Sequence, residues 1–300
     1  MEGRRKSFRK DALWGWLFSL PLVSGLTLWV AFPLGVAVVM SLFRWDMISP
    51  PVFVGLGNYT FMFFGDPLFW QAFAVMLLYT VLSVPLQLIL AFTLAMLLNA
   101  KVRGMGLFRT IFFLPSLIPV IVGSALWLWL FNTQYGLFNI ALDALGLPTQ
   151  EWLTNPDMVI GSLVMMSLWT VGNIVVIFLA GLQGIPKELE EAVVVDGGGF
   201  WGRFRNVILP FMSPVIFYNL VMGVIGGLQT FTQPYVMTGG GPANASLTYM
   251  LHLYRQAFQF SKMGYANALA VVLLILTIAL SLAIFRSSSR WVYYEDGERK

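Results

Sequence analysis

The chain has 300 residues, of which 58% are hydrophobic and only 11% charged, and its formal net charge is +4. Soluble domains carry about 25% charged residues. A soluble fold of this length would have to hide more apolar surface than its interior can hold, and a bilayer is the solvent that removes the conflict. The absence of cysteine excludes disulfides, thiol redox chemistry and cysteine-ligated metals. The single histidine, His252, cannot form a histidine-rich metal site alone and is expected at the surface of an outer loop.

Six stretches of more than 20 residues contain no Asp, Glu, Lys or Arg: 12–43, 67–100, 110–142, 158–186, 206–254 and 263–285. Each is long enough for the roughly 20 residues of a spanning helix. Inside lipid a lone segment satisfies its own backbone only as a helix. The predicted fold is therefore all-α, a single domain over 1–300. It is a polytopic membrane bundle of six helices with spans near 12–43, 70–100, 108–131, 158–182, 207–231 and 263–285. The fifth run exceeds one span. Its second half, from Gln233 and Pro234 through Thr238, three glycines and Pro242, is turn chemistry, which ends the helix near Phe231.

Positive charge orients the bundle. With the N-terminus inside, the cytoplasmic segments hold fifteen of the 18 Lys and Arg residues: Arg4, Arg5, Lys6, Arg9, Lys10, Lys101, Arg103, Arg109, Lys187, Arg203, Arg205, Arg286, Arg290, Arg299 and Lys300. The outer loops hold three, Arg44, Arg255 and Lys262. This bias predicts both termini in the cytoplasm, with tails over 1–11 and 286–300. It also accounts for the basic excess without nucleic acid. The first apolar run is too long for a signal-peptide core and is expected to remain as an anchor.

The chemistry that is missing narrows the function. No membrane-embedded charge lies within the predicted spans, whereas proton- and ion-coupled carriers keep ionisable groups at mid-membrane. No G-x-x-x-x-G-K-[ST] run can cradle a nucleotide, and no paired acids, Ser-His-Asp set or metal cluster suggests catalysis. The chain reads as a conduit whose energy comes from elsewhere, with no cofactor of its own.

The loop 183–206 is oversized for a connector. Pro186 can open a helix without its N–H, and Glu188, Glu190 and Glu191 suit the positive end of the helix dipole. Gly197, Gly198 and Gly199 stop that helix, and residues from Phe200 resume one that carries Arg203 and Arg205, with Pro210 opening the next span. A lipid-surface helix is one reading of this hairpin. The loop also resembles the EAA loop of permease subunits of binding-protein-dependent ABC importers. The family pattern is E-A-A, two residues, D-G-A, about nine residues, then I-x-L-P. It stands here as Glu191, Ala192, Val193, then Asp196, Gly197, Gly198, then Val207, Ile208, Leu209, Pro210. Val193, Gly198 and Val207 depart from it. The run from Val54 to Tyr59, Asp66 with Pro67, Phe69 and Trp70, and Gly264, Tyr265 and Ala268 are similar to the carbohydrate branch, and to its first-permease type.

The resemblance implies a coupling hairpin between helices 4 and 5. Its residues Glu188, Glu191, Ala192, Asp196 and Gly197 would dock a cytoplasmic ATPase. It implies a second six-span permease in a heterodimer, two copies of that ATPase, which binds the ATP and Mg, and an extracytoplasmic solute-binding protein. The implied cargo is a sugar or oligosaccharide, with surrounding membrane lipid. A polyol or glycerol phosphate is the alternative cargo, and an ion-driven symporter the alternative class. By position the resemblance points to a substrate path at Trp169, Gly172, Asn173, Gly223, Gly226, Gly227, Gln229 and Thr230. Aromatic faces and amides suit sugars, yet Gly223-x-x-x-Gly227 is also a close-contact motif, and both readings stand.

Overall fold

The computed structural model describes residues 2–100 and 102–293, with side chains from Trp14 onward. The basic side chains at 4–10, and residues Lys101, Arg299 and Lys300, lie outside this description. The described chain is mostly helical. Four helices are long and apolar enough to cross a bilayer, and two bent helix pairs bring the number to as many as six. The contacts divide the chain into two units: one from 1–66 with 253–274, the other from 67–252 with 275–300.

In the first unit, α1 (Glu2–Leu26), a π turn (Thr27–Ala31) and α2 (Phe32–Met40) form a continuous helix. Its apolar side chains, Trp16, Phe18 and Trp29 among them, are exposed. The π turn ends two residues before Pro33, which has no N–H to return to the preceding turn. Beyond α2, β1 (Phe43–Arg44) pairs antiparallel with β2 (Val52–Phe53), a small ladder absent from the all-α expectation.

Side chains tie that ladder down. The Asn58 amide, on α3 (Gly57–Thr60), donates to the carbonyls of Ser41 and Phe43 at 2.8 and 2.9 Å. The Ser41 and Tyr59 hydroxyls lie 2.8 Å apart. The Tyr265 hydroxyl donates to buried Asp66 at 2.5 Å, joining two sequence motifs separated by 199 positions. Gly264 N–H donates to the Trp45 carbonyl at 3.1 Å, and a Cβ on Gly264 would collide with the Phe43 carbonyl oxygen.

The second unit is organised around α4 (Phe69–Leu98), which packs against α8 (Val159–Trp169), α9 (Gly172–Gln183) and α12 (Leu209–Leu228). Two apolar cores sit at different levels along it. One joins Val75 and Tyr79 to Trp127, Phe131 and Leu163. The other joins Ala91, Ala95 and Leu98 to Phe178, Leu182, Val207 and Met212.

Two of the expected straight spans are bent. Between α5 (Met105–Phe113) and α6 (Val120–Leu130) the axis turns by 100°. Pro119 forces this: Ile118, just before it, is extended at φ −77° and ψ 126°, as a residue preceding proline prefers. Between α8 and α9 the turn is 50°. The fifth span is not interrupted at Pro210. Helix runs from α11 (Phe200–Arg203) through a π turn (Phe204–Ile208) into α12, and the π turn again ends two residues before the proline. α12 stops at Leu228, three residues before the expected Phe231, and α13 (Thr232–Met237) follows.

His252 is not at the surface. It lies on α14 (Tyr249–Tyr254), 1% exposed, beside fully buried Tyr249 and Leu251. The Thr248 hydroxyl donates to the Thr230 carbonyl at 2.9 Å, which folds this segment onto the end of the fifth span. α15 (Met263–Ser288) runs past position 286. After it, the Tyr293 N–H donates to the Ser213 hydroxyl at 2.8 Å and Trp291 lies against Phe217, so this part of the expected tail is docked.

Gly264→Ala should therefore lower the apparent unfolding temperature of the detergent-solubilised protein by several degrees, the cost of overpacking being about 1–3 kcal/mol. Gly226→Ala, which meets open space, should leave it unchanged in the same thermal scan.

Candidate functional site

Between the levels of the two cores in the second unit lies a cavity of about 430 Å³, within the ordinary range for a small-molecule site. α4 supplies Tyr79, Ser83, Val84 and Gln87 to it, between the core residues Val75 and Ala91. Ser167 and Thr170 come from the α8–α9 bend, and Val120 from the first residue of α6 after its bend. Asn219, Gly223, Gly226, Gly227, Gln229 and Thr230 come from α12 and its end, and Gln233 from α13. Three helix interruptions thus meet at one place. Irregular backbone at membrane depth is tolerated where it is buried in protein or lines a wet cavity, and here the cavity is that place.

The lining is polar but uncharged. The Tyr79 hydroxyl donates to the Gln233 side-chain oxygen at 3.0 Å. Asn219 spends its amino group on the Val215 carbonyl at 2.9 Å and keeps its oxygen. The side-chain amides of Gln87 and Gln229 have no hydrogen-bond partner among the described residues. Each amide offers both a donor and an acceptor, the complement of a hydroxyl-rich solute.

Of the expected path residues, Gly223, Gly226, Gly227, Gln229 and Thr230 line this cavity. Trp169, Gly172 and Asn173 do not. Trp169 stacks edge-on against Trp127 at 6.0 Å, within the aromatic core. Gly172 is a packing glycine: a Cβ there would stand 2.8 Å from the Phe112 carbonyl oxygen. Asn173 is exposed elsewhere on α9. The glycines of α12 both pack and line. A Cβ on Gly227 would meet Thr80 at 2.8 Å and one on Gly223 would meet Val84 at 3.0 Å, while Gly226 faces open space. Tyr79, Gln87, Ser167, Asn219 and Gln233 escaped sequence reasoning. The signals were polar residues at helical spacing across Ser83 and Gln87, and the prolines and glycine at the bends.

A second feature is the hairpin of α10 (Lys187–Val195) and α11. Glu188 and Glu190 occupy its first turn, where the helix dipole favours acids. Gly197 ends it with φ +81°, a backbone conformation costly for any residue with a Cβ. Glu188, Glu191, Ala192 and Asp196 are all exposed, and so are Val194, Val195, Phe200 and Trp201. Arg203 reaches back to Glu190, N to O 4.0 Å, across the turn. Two of the departures from the loop pattern compensate each other. A Cβ on Gly198 would approach the Val193 Cγ1 to 2.5 Å, so the bulk added at 193 is matched by the methyl absent at 198.

Residues 87–292 match the family described as "Binding-protein-dependent transport system inner membrane component". The chain belongs to this family. Its relatives include the Bacillus subtilis protein named "Probable ABC transporter permease protein YesP", 37% identical across 98% of this chain and 96% of that one. The "Trehalose/maltose transport system permease protein MalF" of Thermococcus litoralis is 30% identical across 92% of this chain and 94% of that one. A chain in the crystal structure of the bacterial alginate ABC transporter, in complex with alginate pentasaccharide-bound periplasmic protein, shares the fold. Its TM-score is 0.82 at 20% identity, covering 95% of this chain and 96% of that one. The permease is thus a multi-pass membrane component of a transport system, and the exposed hairpin lies within its family-matched region.

The coupled pair at 193 and 198 predicts a double-mutant result. Gly198→Ala alone should destabilise the purified permease measurably in thermal unfolding. Adding Val193→Ala should recover part of that loss, a positive coupling of roughly 0.5–3 kcal/mol.

Proposed function

We propose that this permease is one half of the translocation path of an ATP-driven importer, passing an uncharged sugar or oligosaccharide from an external binding protein into the cytoplasm by alternating access. The observation that carries the proposal is the uncharged, amide-lined cavity at which three helix interruptions converge. Both bent pairs count as single spans in this reading, which makes six, and the distribution of Lys and Arg supports placing both ends in the cytoplasm. The membrane is the inner membrane of a bacterium or archaeon. The name of one relative, trehalose/maltose, supports an uncharged carbohydrate. The described lining has no cation, which disfavours a phosphate-bearing polyol.

Energy enters through the hairpin. Glu188, Glu191, Ala192, Asp196 and Gly197 dock one of two copies of a cytoplasmic ATPase, which binds ATP and Mg and performs the hydrolysis. The acids meet basic groups of that partner, and the exposed apolar residues Val194 and Val195 are covered by it. A second, different permease of six spans completes the cavity. When the ATPases close on ATP, the hairpin moves with them, and the helix that continues from Phe200 to Leu228 carries the displacement to Gly226 and Gln229 at the cavity.

Two sets of variants separate the roles. Glu191→Lys and Gly197→Trp should abolish ATP-dependent sugar uptake into vesicles, and the ATPase should no longer co-purify. Asn219→Ala and Gln229→Ala should retain the ATPase and raise the maltose or trehalose concentration for half-maximal uptake about 3–10-fold each, the worth of one hydrogen bond. Uptake that survives Glu191→Lys, or that follows an ion gradient in the absence of ATP, would overturn the proposal.

A further inference from the structure

The cavity of the second unit holds one buried hydroxyl that nothing in the chain satisfies. A serine or threonine within a helix commonly returns its proton to a carbonyl three or four residues back. Thr80 donates in this way to Met76 at 2.8 Å, Ser167 to Val164 at 2.7 Å and Thr230 to Gly226 at 3.2 Å. Ser83, on α4, does not. Among the described residues its hydroxyl closes no hydrogen bond, although the residue is only 1% exposed and lines the cavity.

The groups around it are one-sided. Tyr79 stands one turn away on the same face of α4. The hydroxyls of Ser83, Ser167 and Thr230 lie beside that of Tyr79, beyond hydrogen-bond length but near enough to interact. The Tyr79 proton goes to the Gln233 side-chain oxygen at 3.0 Å, and those of Ser167 and Thr230 go to backbone. A hydroxyl has one proton and two lone pairs, so these three present acceptors only. Ser83 holds the one free proton of the four. Tyr79 and Ser167 are each 3% exposed and Thr230 is half-buried. The second unit therefore encloses this end of the cavity by itself, whatever lies against its outer surface.

That hydrogen-bond polarity discriminates between ligand groups. An apolar group would leave the Ser83 proton unpaired in a buried place, which is unfavourable. An oxygen that only accepts, as in an ether or a carbonyl, would satisfy Ser83 and then face acceptor oxygens. An ammonium would suit the acceptors, but the lining has no carboxylate to offset its charge. A hydroxyl donates and accepts at once, and it satisfies both sides.

We propose that Ser83 is a specificity-determining residue: with Tyr79, Ser167 and Thr230 it forms a subsite for one free cargo hydroxyl. That hydroxyl accepts the Ser83 proton and donates to one of the neighbouring oxygens. The assignment rests on the importer reading and names a group that its cargo must present.

The test uses the whole transporter in vesicles, with its partner permease, ATPases and external binding protein. ATP-driven uptake of maltose and of trehalose is compared with uptake of analogues that lack one hydroxyl at a time. In Ser83→Ala the preference for the parent sugar should fall about 3–10-fold at one ring position, the worth of one hydrogen bond, and stay unchanged at the others. The binding protein is the same in both preparations, so its own preference cancels from the comparison. Ser83→Cys keeps the volume and leaves only a weak donor. It should give the same pattern, which keeps the test decisive if the alanine variant does not assemble. Thr93→Val, on α4 outside the cavity, should leave every preference as it is. Preferences unchanged by both Ser83 variants overturn the proposal and assign the hydroxyl to water. An equal change at every ring position overturns it too, since that reports cavity shape. Uptake that follows an ion gradient without ATP overturns the importer reading alone, because the same preferences can be read under the gradient. Uptake of neither sugar overturns both.

Discussion

A peptide group left without a hydrogen bond in hydrocarbon costs several kcal/mol, and the second unit is organised around the places where its helices break that rule. The backbone is interrupted at Ile118–Pro119, at Thr170–Val171 and at Gln229–Phe231. Scattered across lipid-facing surfaces, these breaks would be intolerable. Brought to one level and turned toward a common cavity, they can be solvated or bonded. The Thr170 hydroxyl donates to the Ser167 carbonyl, that of Thr230 to Gly226, and that of Thr248 to Thr230. The two apolar cores on either side clamp the unbroken α4 against its neighbours, so the irregular level is held between regular ones.

The same constraint links the hairpin to the cavity. A loop between them would absorb motion in its own dihedrals. Instead, helical backbone runs from Phe200 to Leu228, and Pro210 is accommodated by a π turn and not by a break. Val207 and Met212 anchor this helix in the lower core, and Arg203 ties its start to Glu190. At an exposed site such a pair contributes little to stability. It spans the turn between α10 and α11 that Gly197 makes possible. Helical backbone thus continues from the second arm of the hairpin to Leu228.

Composition and charge made the membrane class legible, and the glycine turn with its acidic helix made the hairpin legible, because both follow from local chemistry. The cavity was only half legible, for a reason of helical phase. Ser167 on α8, Thr170 in the bend and Ile174 on α9 reach the cavity, and the 50° bend breaks the helical period that would otherwise relate them. Trp169, Gly172 and Asn173 lie between those positions, on the other side. Their side-chain chemistry suits a sugar, but the face is decided by what α9 packs against, and Gly172 pressed to the Phe112 carbonyl fixes it. His252 misled in the same way: a polar residue after a glycine-rich turn suggests a loop, yet the turn returns the chain into the interior. The two π turns leave no periodic signature beyond the prolines that follow them.

Packing and room at the fifth span looked like competing readings of one glycine pattern, and they are two consequences of it. Gly223 and Gly227 let α12 approach Val84 and Thr80 on α4 more closely than any larger residue would allow. Gly226, between them in sequence, faces the cavity with nothing within 4 Å of where a Cβ would stand. Where Gly226 carries no side chain, the α12 wall leaves room beside the amides of Asn219 and Gln229, with that of Gln87 contributed by α4. The rest of the lining combines hydroxyl groups with the apolar side chains of Val84, Val120, Ile174, Met222 and Phe231. Widening the cavity by substitution at Gly223 or Gly227 is closed to this design, because any added atom acts first on the contact with α4. Substitution at Gly226, which meets open space, alters the room in the cavity without acting on the contact with α4.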